Sequence, residues 1–170
     1  MATTTPLAAP ETERALAENA RYADAFDRPG LDMPPSRHLA VLACMDARIT
    51  VEQVIGLHTG EAHIIRNAGG LATDDAIRSL VISQHLLGTN EVLVIEHTGC
   101  GMLTFQDDAV RRHLAEETGE HVDLPLLAFP DLEANLRAQV EKIRTHPWVK
   151  DVPVTGAIYE VDTGRLRRID

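Results

Sequence analysis

Hydrophobic residues along the chain follow two alternating patterns. Short apolar runs, typical of buried parallel strands, occur at 39–43 and 92–95, and a further short strand is predicted at 62–65. Segments with apolar residues three and four apart predict helices between and around these runs. The predicted helices are at 11–26, 51–57, 74–87, 106–117 and 131–146. A small, Pro-bearing segment at 1–10 precedes the first helix, and we expect it to be a loose arm.

The end of the chain is patterned as a hairpin. Strands are predicted at 158–161 and 166–169, on either side of the turn sequence Asp162-Thr163-Gly164. The order of elements is therefore a helix, then β–α–β–α–β, then two helices and two strands. This order predicts an α/β fold with a central, mostly parallel β-sheet flanked by helices, with right-handed crossovers and an N-terminal helical arm.

The length of 170 residues fits a single domain with one core. Within it, we expect residues 1–35 to form the N-terminal arm and helix, and residues 36–170 to form the catalytic α/β core. The apolar stripe of the first helix is narrow, so packing on its own domain would stabilise it little. We therefore expect this helix to cross onto a partner subunit.

Composition narrows the classes of function. The net charge is −10, whereas nucleic-acid binding requires clustered Lys and Arg, so no nucleic-acid partner is expected. The dense basic run at 165–168 lies in a predicted strand and is interpreted as a solvated face. No apolar run is long enough to cross a bilayer, and the N-terminus lacks the features of a secretory leader. We expect a cytoplasmic protein whose two cysteines are thiols or metal ligands.

Reactive side chains follow two of the predicted strands. The first strand run is followed by Cys44, Asp46 and Arg48, and the third by His97 and Cys100. Open α/β sheets bind ligands beyond the carboxyl ends of their strands, so we expect these side chains at one edge of the sheet. Zinc prefers thiolate and imidazole ligands, and three protein ligands leave a fourth position open, as in catalytic sites. The sequence therefore predicts a catalytic zinc site.

Asp46 and Arg48 lie two residues apart, and in an extended segment both side chains would point to one side. The carboxylate of Asp46 can take the fourth metal position in a closed state, or it can accept a hydrogen bond from bound water. A bidentate pair with Arg48 would keep Asp46 ionised and off the metal. Two alternatives remain open: the pair can be an ordinary surface ion pair, and the cysteines can be small buried hydrophobes.

Three segments carry a resemblance to a known family. Cys44-Met45-Asp46-Ala47-Arg48 resembles the first motif of β-class carbonic anhydrases, and His97-Thr98-Gly99-Cys100-Gly101 resembles the second. Arg66-Asn67-Ala68-Gly69-Gly70, between them, resembles the segment after the family's second strand and is similar to the compact subgroup that carries Gly-Gly. The resemblance is clearest from residue 39 to residue 102.

The resemblance implies one Zn²⁺ per chain, held by Cys44, His97 and Cys100, with Asp46 and Arg48 as the dyad of the active site. It implies reversible hydration of CO2 to bicarbonate and a proton by zinc-bound hydroxide, because zinc lowers the pKa of bound water to about 7. It also implies a homodimer or a dimer of dimers, in which the N-terminal helix lies over the neighbouring subunit.

Other functions fit the same residues. Relatives of the compact type hydrolyse carbonyl sulfide or carbon disulfide, which are linear like CO2, and the shape of the pocket would decide between these substrates. A non-enzymatic zinc or redox-sensing protein is a further alternative, in which Asp46 is a permanent fourth ligand. The segment 66–70 is interpreted equally well as a turn or as part of a pocket wall. Phe129 and Trp148 are interpreted as packing residues.

Overall fold

The computed structural model describes residues 10–169. The loose arm predicted at 1–10 lies outside the described residues, apart from Pro10. The chain divides into two compact units, Met1–Leu31 and Asp32–Asp170.

The first unit is built on helix α1, Glu11–Asp24. Glu11 and Glu13 lie in its first turn and Arg21 in its last turn, which suits the helix dipole. None of the residues of α1 is buried, and the large side chains Leu16 and Tyr22 are more than half exposed. That this helix packs on a partner subunit stays a prediction.

The second unit contains a five-stranded sheet with helices between its strands. Its elements in chain order are β1 (Leu39–Cys44), α2 (Val51–Ile55), β2 (Ala62–Asn67), α3 (Asp74–Leu86), β3 (Glu91–His97), α4 (Asp107–Thr118), α5 (Leu132–Arg144), β4 (Val154–Glu160) and β5 (Arg165–Ile169). Short 3₁₀ turns at Ala68–Gly70 and Gly101–Leu103 follow β2 and β3. All the predicted helices and strands are present, with their ends shifted by a few residues. Within residues 10–169, no helix is both long enough and apolar enough to span a bilayer.

The strands lie in the order β2-β1-β3-β4-β5. β1 pairs in parallel with β2 and β3, and β3 pairs in parallel with β4, whereas β5 runs antiparallel to β4 as the terminal hairpin. The predicted α/β fold with a mostly parallel sheet flanked by helices is therefore confirmed. β1 is followed by β2 on one side, and β3 is followed by β4 on the other, so the strand order reverses its direction between β1 and β3. Open α/β sheets bind ligands at such a switch point.

A hydrophobic cluster lies on each face of the sheet. Side chains alternate along β1 and β3, so Leu42 and Val94 join one cluster, whereas Val41 and Ile95 join the other. All four are fully buried, and burial of a side chain of this kind stabilises a fold by about 1.5–3 kcal/mol. The first cluster includes the apolar face of α5, and the second includes both cysteines.

The two predicted packing residues differ in their environment. Phe129 is buried in the second cluster, as predicted. The interpretation of Trp148 is wrong, because its side chain is 69% exposed. Trp148 follows α5 in a surface turn. Its carbonyl oxygen accepts a hydrogen bond from Nε2 of His85, and its indole packs edge-on against the ring of His146.

Candidate metal centre

Cys44, His97 and Cys100 converge at the carboxyl-terminal edge of the sheet. One donor atom from each side chain lies within 4.8 Å of the other two. The two sulfur atoms are 4.0 Å apart, and all three residues are buried. The structure therefore brings together the three residues predicted as metal ligands, at a spacing that one ion can bridge.

Strand ends and a tight turn place these side chains. Cys44 is the last residue of β1 and His97 is the last residue of β3, and the two strands are parallel neighbours. Gly99 has a φ of 62°, a left-handed conformation that glycine adopts without strain. This turn directs Cys100 back toward His97. The ends of two neighbouring strands and one turn therefore place all three candidate ligands.

The ring of His97 offers one nitrogen to a metal. Its Nδ1 lies 2.9 Å from the carbonyl oxygen of Thr98, and because a carbonyl only accepts, Nδ1 carries a proton and donates it. In the neutral ring, Nε2 then holds the free lone pair. Nε2 is buried without a hydrogen-bond partner among the described residues. Buried nitrogens of this kind are rare, and a zinc ion shared with the two sulfur atoms would satisfy this one, so the donor set fits zinc.

The pKa values of the three side chains are shifted in different directions. Burial raises the pKa of Cys44, but contact with His97 and with nearby backbone groups outweighs burial and lowers it to about 7. Burial and the neighbouring Cys44 raise the pKa of Cys100 to about 11. Burial lowers the pKa of His97, but Cys44, the carbonyl oxygen of Thr98 and the charge of Asp46 together outweigh burial and raise it. These shifts favour a thiolate on Cys44 beside a protonated His97 ring in the absence of metal, and a divalent cation would bind in place of the protons.

Asp46 and Arg48 form a bidentate pair, but not in the predicted backbone geometry. Nε of Arg48 donates to Oδ1 of Asp46 at 2.9 Å, and Nη2 donates to Oδ2 at 2.7 Å. The expectation of an extended segment is wrong, because the chain turns after Cys44. The carboxylate itself closes this turn, since Oδ1 also accepts the backbone N–H of Arg48 at 2.9 Å.

The carboxylate of Asp46 borders the ligand group. Its Oδ2 lies 3.6 Å from Nε2 of His97, and its side chain is 17% exposed. Hydrogen bonds from Arg48 hold the pKa of Asp46 well below its usual range, so the acid is ionised at neutral pH. Nη2 of Arg48 also donates to the carbonyl oxygen of Gly99 at 2.9 Å. The pair is therefore tied to the turn between His97 and Cys100, unlike an ordinary surface ion pair.

Arg66 supports the site in a way that the sequence analysis missed. It lies on β2, opposite Ala43 of β1. Its Nε donates to the carbonyl oxygen of Cys44 at 2.9 Å, and its Nη2 donates to that of Asp46 at 2.7 Å. One guanidinium thus holds both ends of the segment that carries the first thiol and the acid. Its position in the 66–70 motif indicated that Arg66 was of interest. Which carbonyl oxygens it binds, however, depends on the register in which β1 and β2 pair.

Gly69 and Gly70 lie in the turn after β2, and this turn packs closely against the backbone of the strands that carry Cys44 and His97. A Cβ on Gly70 would lie 2.9 Å from both the backbone nitrogen of Cys44 and the carbonyl oxygen of Ile95. The amide of Asn67 closes the turn, because it accepts from the N–H of Leu71 and donates to its carbonyl oxygen, both at 2.8 Å. These contacts favour a supporting turn over a pocket wall.

Glu96 is a buried acid that the sequence analysis also missed. It precedes His97 but points toward α5, where Nδ2 of Asn135 donates to its Oε1 at 2.7 Å. Glu96 is 1% exposed, and its Oε2 has no hydrogen-bond partner among residues 10–169. Burial raises the pKa of Glu96 to about 8, although the bond from Asn135 opposes this shift. The signal in the sequence was a carboxyl residue directly after an apolar strand run.

Comparisons with known proteins place this geometry in a family. The family model for carbonic anhydrase matches residues 39–166. β-Carbonic anhydrase 1 of Mycobacterium tuberculosis is 46% identical over 159 residues, covering 93% of this chain and 97% of that one. Carbon disulfide hydrolase of an Acidianus species is 40% identical over 163 residues, covering 80% of this chain and 79% of that one. The crystal structure of carbonic anhydrase from Streptococcus mutans has a TM-score of 0.92 and 37% identity, covering 96% of this chain and 100% of that one. The chain therefore belongs to the carbonic anhydrase family of lyases, in its β class.

Proposed function

We propose that this chain is a zinc-dependent carbonic anhydrase that interconverts CO2 with bicarbonate and a proton. Cys44, His97 and Cys100 hold one Zn²⁺ per chain, and Asp46 and Arg48 form the catalytic dyad. The observation that carries the proposal is the buried Nε2 of His97, which has no hydrogen-bond partner among the described residues. It lies beside two sulfur donors and 3.6 Å from an ionised carboxylate.

The residues around the ligand group suit this reaction. Zinc, when bound, supplies a Lewis acid that lowers the pKa of a coordinated water to about 7. The carboxylate of Asp46, ionised and fixed by Arg48, accepts a hydrogen bond from the attacking water and so orients it. Leu71, Met102 and Phe129 pack in the same cluster as the cysteines and give an apolar environment that suits uncharged CO2.

The Asp46–Arg48 pair also sets the state of the site. While Arg48 holds both carboxylate oxygens, Asp46 serves as an acceptor beside the ligand group. Release from Arg48 would free Asp46 to act as a fourth metal ligand, which would close the site to substrate. The strength of this ion pair therefore controls the balance between an open and a closed site.

Hydrolysis of carbon disulfide or carbonyl sulfide is a second candidate function, because a carbon disulfide hydrolase is 40% identical to this chain. Both molecules are linear and are attacked at carbon, as CO2 is, so the same residues would serve. Sulfide release and CO2 hydration measured on one preparation separate these functions. We expect hydration to be the faster reaction, and faster sulfide release would reverse the assignment.

We also propose that the chain acts in the cytoplasm as a homodimer or a dimer of dimers. A reducing compartment keeps Cys44 and Cys100 available as ligands. Leu16 and Tyr22 are exposed on α1, and a partner subunit would cover them. Light scattering should give the mass of two or four chains, and Leu16→Glu should shift it toward one chain. A wild-type mass of one chain would contradict the assembly.

Metal analysis combined with a CO2 hydration assay tests the main proposal. We expect one zinc per chain and hydration that increases as the pH passes about 7. Cys44→Ser should lose most of the zinc and the activity, whereas Met45→Leu, at an exposed neighbouring position, should retain both. One zinc per chain without hydration would favour the non-enzymatic zinc or redox-sensing alternative. A reduced preparation without bound metal would contradict both functions.

A further inference from the structure

Partly buried hydrogen bonds connect the turn after β2 to strand β3 through helix α5. The backbone N–H of Ala72 donates to Oε1 of Gln139 at 2.9 Å. Nε2 of Gln139 donates to Oδ1 of Asn135 at 3.1 Å. Nδ2 of Asn135 then donates to Oε1 of Glu96 at 2.7 Å. We call these four residues the α5 relay.

Each hydrogen bond of the α5 relay fixes the orientation of the next. A backbone N–H only donates, so Gln139 presents its oxygen to Ala72 and its nitrogen to Asn135. Asn135 consequently presents its oxygen to Gln139 and its nitrogen to Glu96. All the bonds therefore donate in one direction and end on a carboxyl oxygen, and bonds aligned in this way strengthen one another.

Both ends of the α5 relay reach the backbone that places the metal ligands. Glu96 directly precedes His97 on β3. Ala72 follows the turn that contains Gly70, where a Cβ would lie 2.9 Å from the backbone nitrogen of Cys44. A shift of this turn or of β3 would therefore move Cys44 relative to His97.

Asn135 and Gln139 are half-buried polar residues on the face of α5 that meets the sheet. Asn135 and Gln139 stand next to Leu136 and Val140, which are buried against the sheet in the first hydrophobic cluster. Directional hydrogen bonds add a property that apolar packing lacks, because they specify one relative position of the helix, the strand and the turn.

We propose that Asn135 and Gln139 are positioning residues of the metal centre, which hold Cys44 and His97 at the separation that one ion requires. This role rests on the proposed zinc site. Neither residue supplies a donor atom to the ligand group. They act through Glu96 at one end of the α5 relay and through the turn before Ala72 at the other.

The zinc affinity of the metal-free protein, measured by competition with a chelator, tests this role. We expect Asn135→Leu to raise the zinc Kd by about 10- to 100-fold, the usual effect of losing outer hydrogen bonds around a metal site. Gln139→Met, which removes the hydrogen bonds from Ala72 and to Asn135, should also raise the Kd. The absorption spectrum of the Co²⁺-substituted protein should change in both variants, since it reports the geometry of the ligands.

Val140→Ala is the matched control. It lies on the same helix and packs on the same sheet, but it has no part in the α5 relay. We expect it to lower the free energy of unfolding while it leaves the zinc Kd and the Co²⁺ spectrum as in the wild type. This comparison separates positioning from general stability.

The outcomes distinguish this role from the proposed function. An Asn135→Leu protein that loses no more zinc affinity than Val140→Ala would overturn the positioning role. If Asn135→Leu does not fold, Gln139→Met decides by the same comparison. A wild-type chain that binds no zinc would overturn the proposed function itself, and the positioning role with it.

Discussion

Oδ2 of Asp46 lies 3.6 Å from Nε2 of His97, although hydrogen bonds from Arg48 hold both oxygens of this carboxylate. An arginine therefore keeps the acid at the border of the ligand group, in a place from which a side-chain rotation can reach a bound ion. Under the proposed function, two roles of this carboxylate, as hydrogen-bond acceptor for water and as a fourth ligand, would depend on this contact.

Replacing Arg48 with Met should preserve zinc binding but lower hydration. Asp46 stays ionised at neutral pH without Arg48, because the ordinary pKa of an aspartate is about 3.9. The freed carboxylate then competes for the fourth ligand position. We expect kcat/KM to fall by about 10²- to 10⁴-fold, as when a proton-handling group is lost, with one zinc per chain retained. Stopped-flow hydration and metal analysis measure these effects.

Arg78→Met is the control for this substitution. Arg78 pairs with Asp75 on α3, where the two side chains are mostly exposed, so its loss should leave hydration unchanged. Full activity in Arg48→Met would contradict a catalytic role of the dyad.

Gly70→Ala should destabilise the fold more than Gly56→Ala. Both glycines have positive φ, 70° and 65°, so an alanine costs about 1–2 kcal/mol of backbone strain at either position. A Cβ on Gly56 meets no atom within 4 Å, whereas on Gly70 it would lie 2.9 Å from backbone atoms of Cys44 and Ile95. The strand ends would have to move, so zinc binding should weaken as well. Urea denaturation and chelator competition measure both effects, and equal losses in the two variants would contradict this prediction.

Asp107 should make the stability of the fold depend on pH. Its carboxylate accepts the backbone N–H groups of Leu126, Leu127 and Ala128, and these bonds hold the pKa of Asp107 below its ordinary value. A carboxyl whose pKa is lowered by folding stabilises the fold above its unfolded pKa of about 3.9. That contribution is lost as the pH falls through the lowered folded value.

Asp107→Asn should therefore unfold at lower urea than the wild type at neutral pH, and the difference should shrink below about pH 4. Asp108→Asn is the matched control, since its side chain is 81% exposed, and it should follow the wild type at every pH. Urea denaturation of the metal-free proteins across this range is the measurement. A difference between Asp107→Asn and the wild type that does not change with pH would exclude the role of the charge.

Arg66→Lys should weaken zinc binding although the charge is kept. An ammonium lacks the planar fork with which Arg66 binds the carbonyl oxygens of Cys44 and Asp46. We expect the zinc Kd to rise by about 10-fold in the chelator assay. Arg112→Lys, at an exposed position of α4, should leave the Kd unchanged. A wild-type zinc Kd in Arg66→Lys would show that these two hydrogen bonds are not required for zinc binding.

The ligand group could be predicted from the sequence because its geometry is local. Cys44 follows one apolar run and His97 follows another, and parallel strands bring such ends to the same edge of a sheet. Cys100 needs one more turn, for which Gly99 supplies the backbone freedom. No knowledge of helix packing was required for these three residues.

Contacts that depend on register and packing could not be predicted in this way. Arg66 reaches the carbonyl oxygen of Cys44 because β1 and β2 pair in one register. Glu96 meets Asn135, 39 residues later, because α5 packs on that face of the sheet. The turn at Asp46 replaced the expected extended segment because an aspartate readily accepts the N–H two residues later.

The sheet order has a consequence for how this scaffold diverges. Two of the three donors, Cys44 and His97, are fixed by the ends of the adjacent strands β1 and β3, whereas the apolar neighbours Leu71, Met102 and Phe129 come from connecting segments. Substitutions at these three positions can change the shape of the apolar surroundings without moving Cys44 or His97. Under the proposed function, a change of preference between CO2 and carbon disulfide would therefore need substitutions in these segments and none at Cys44 or His97.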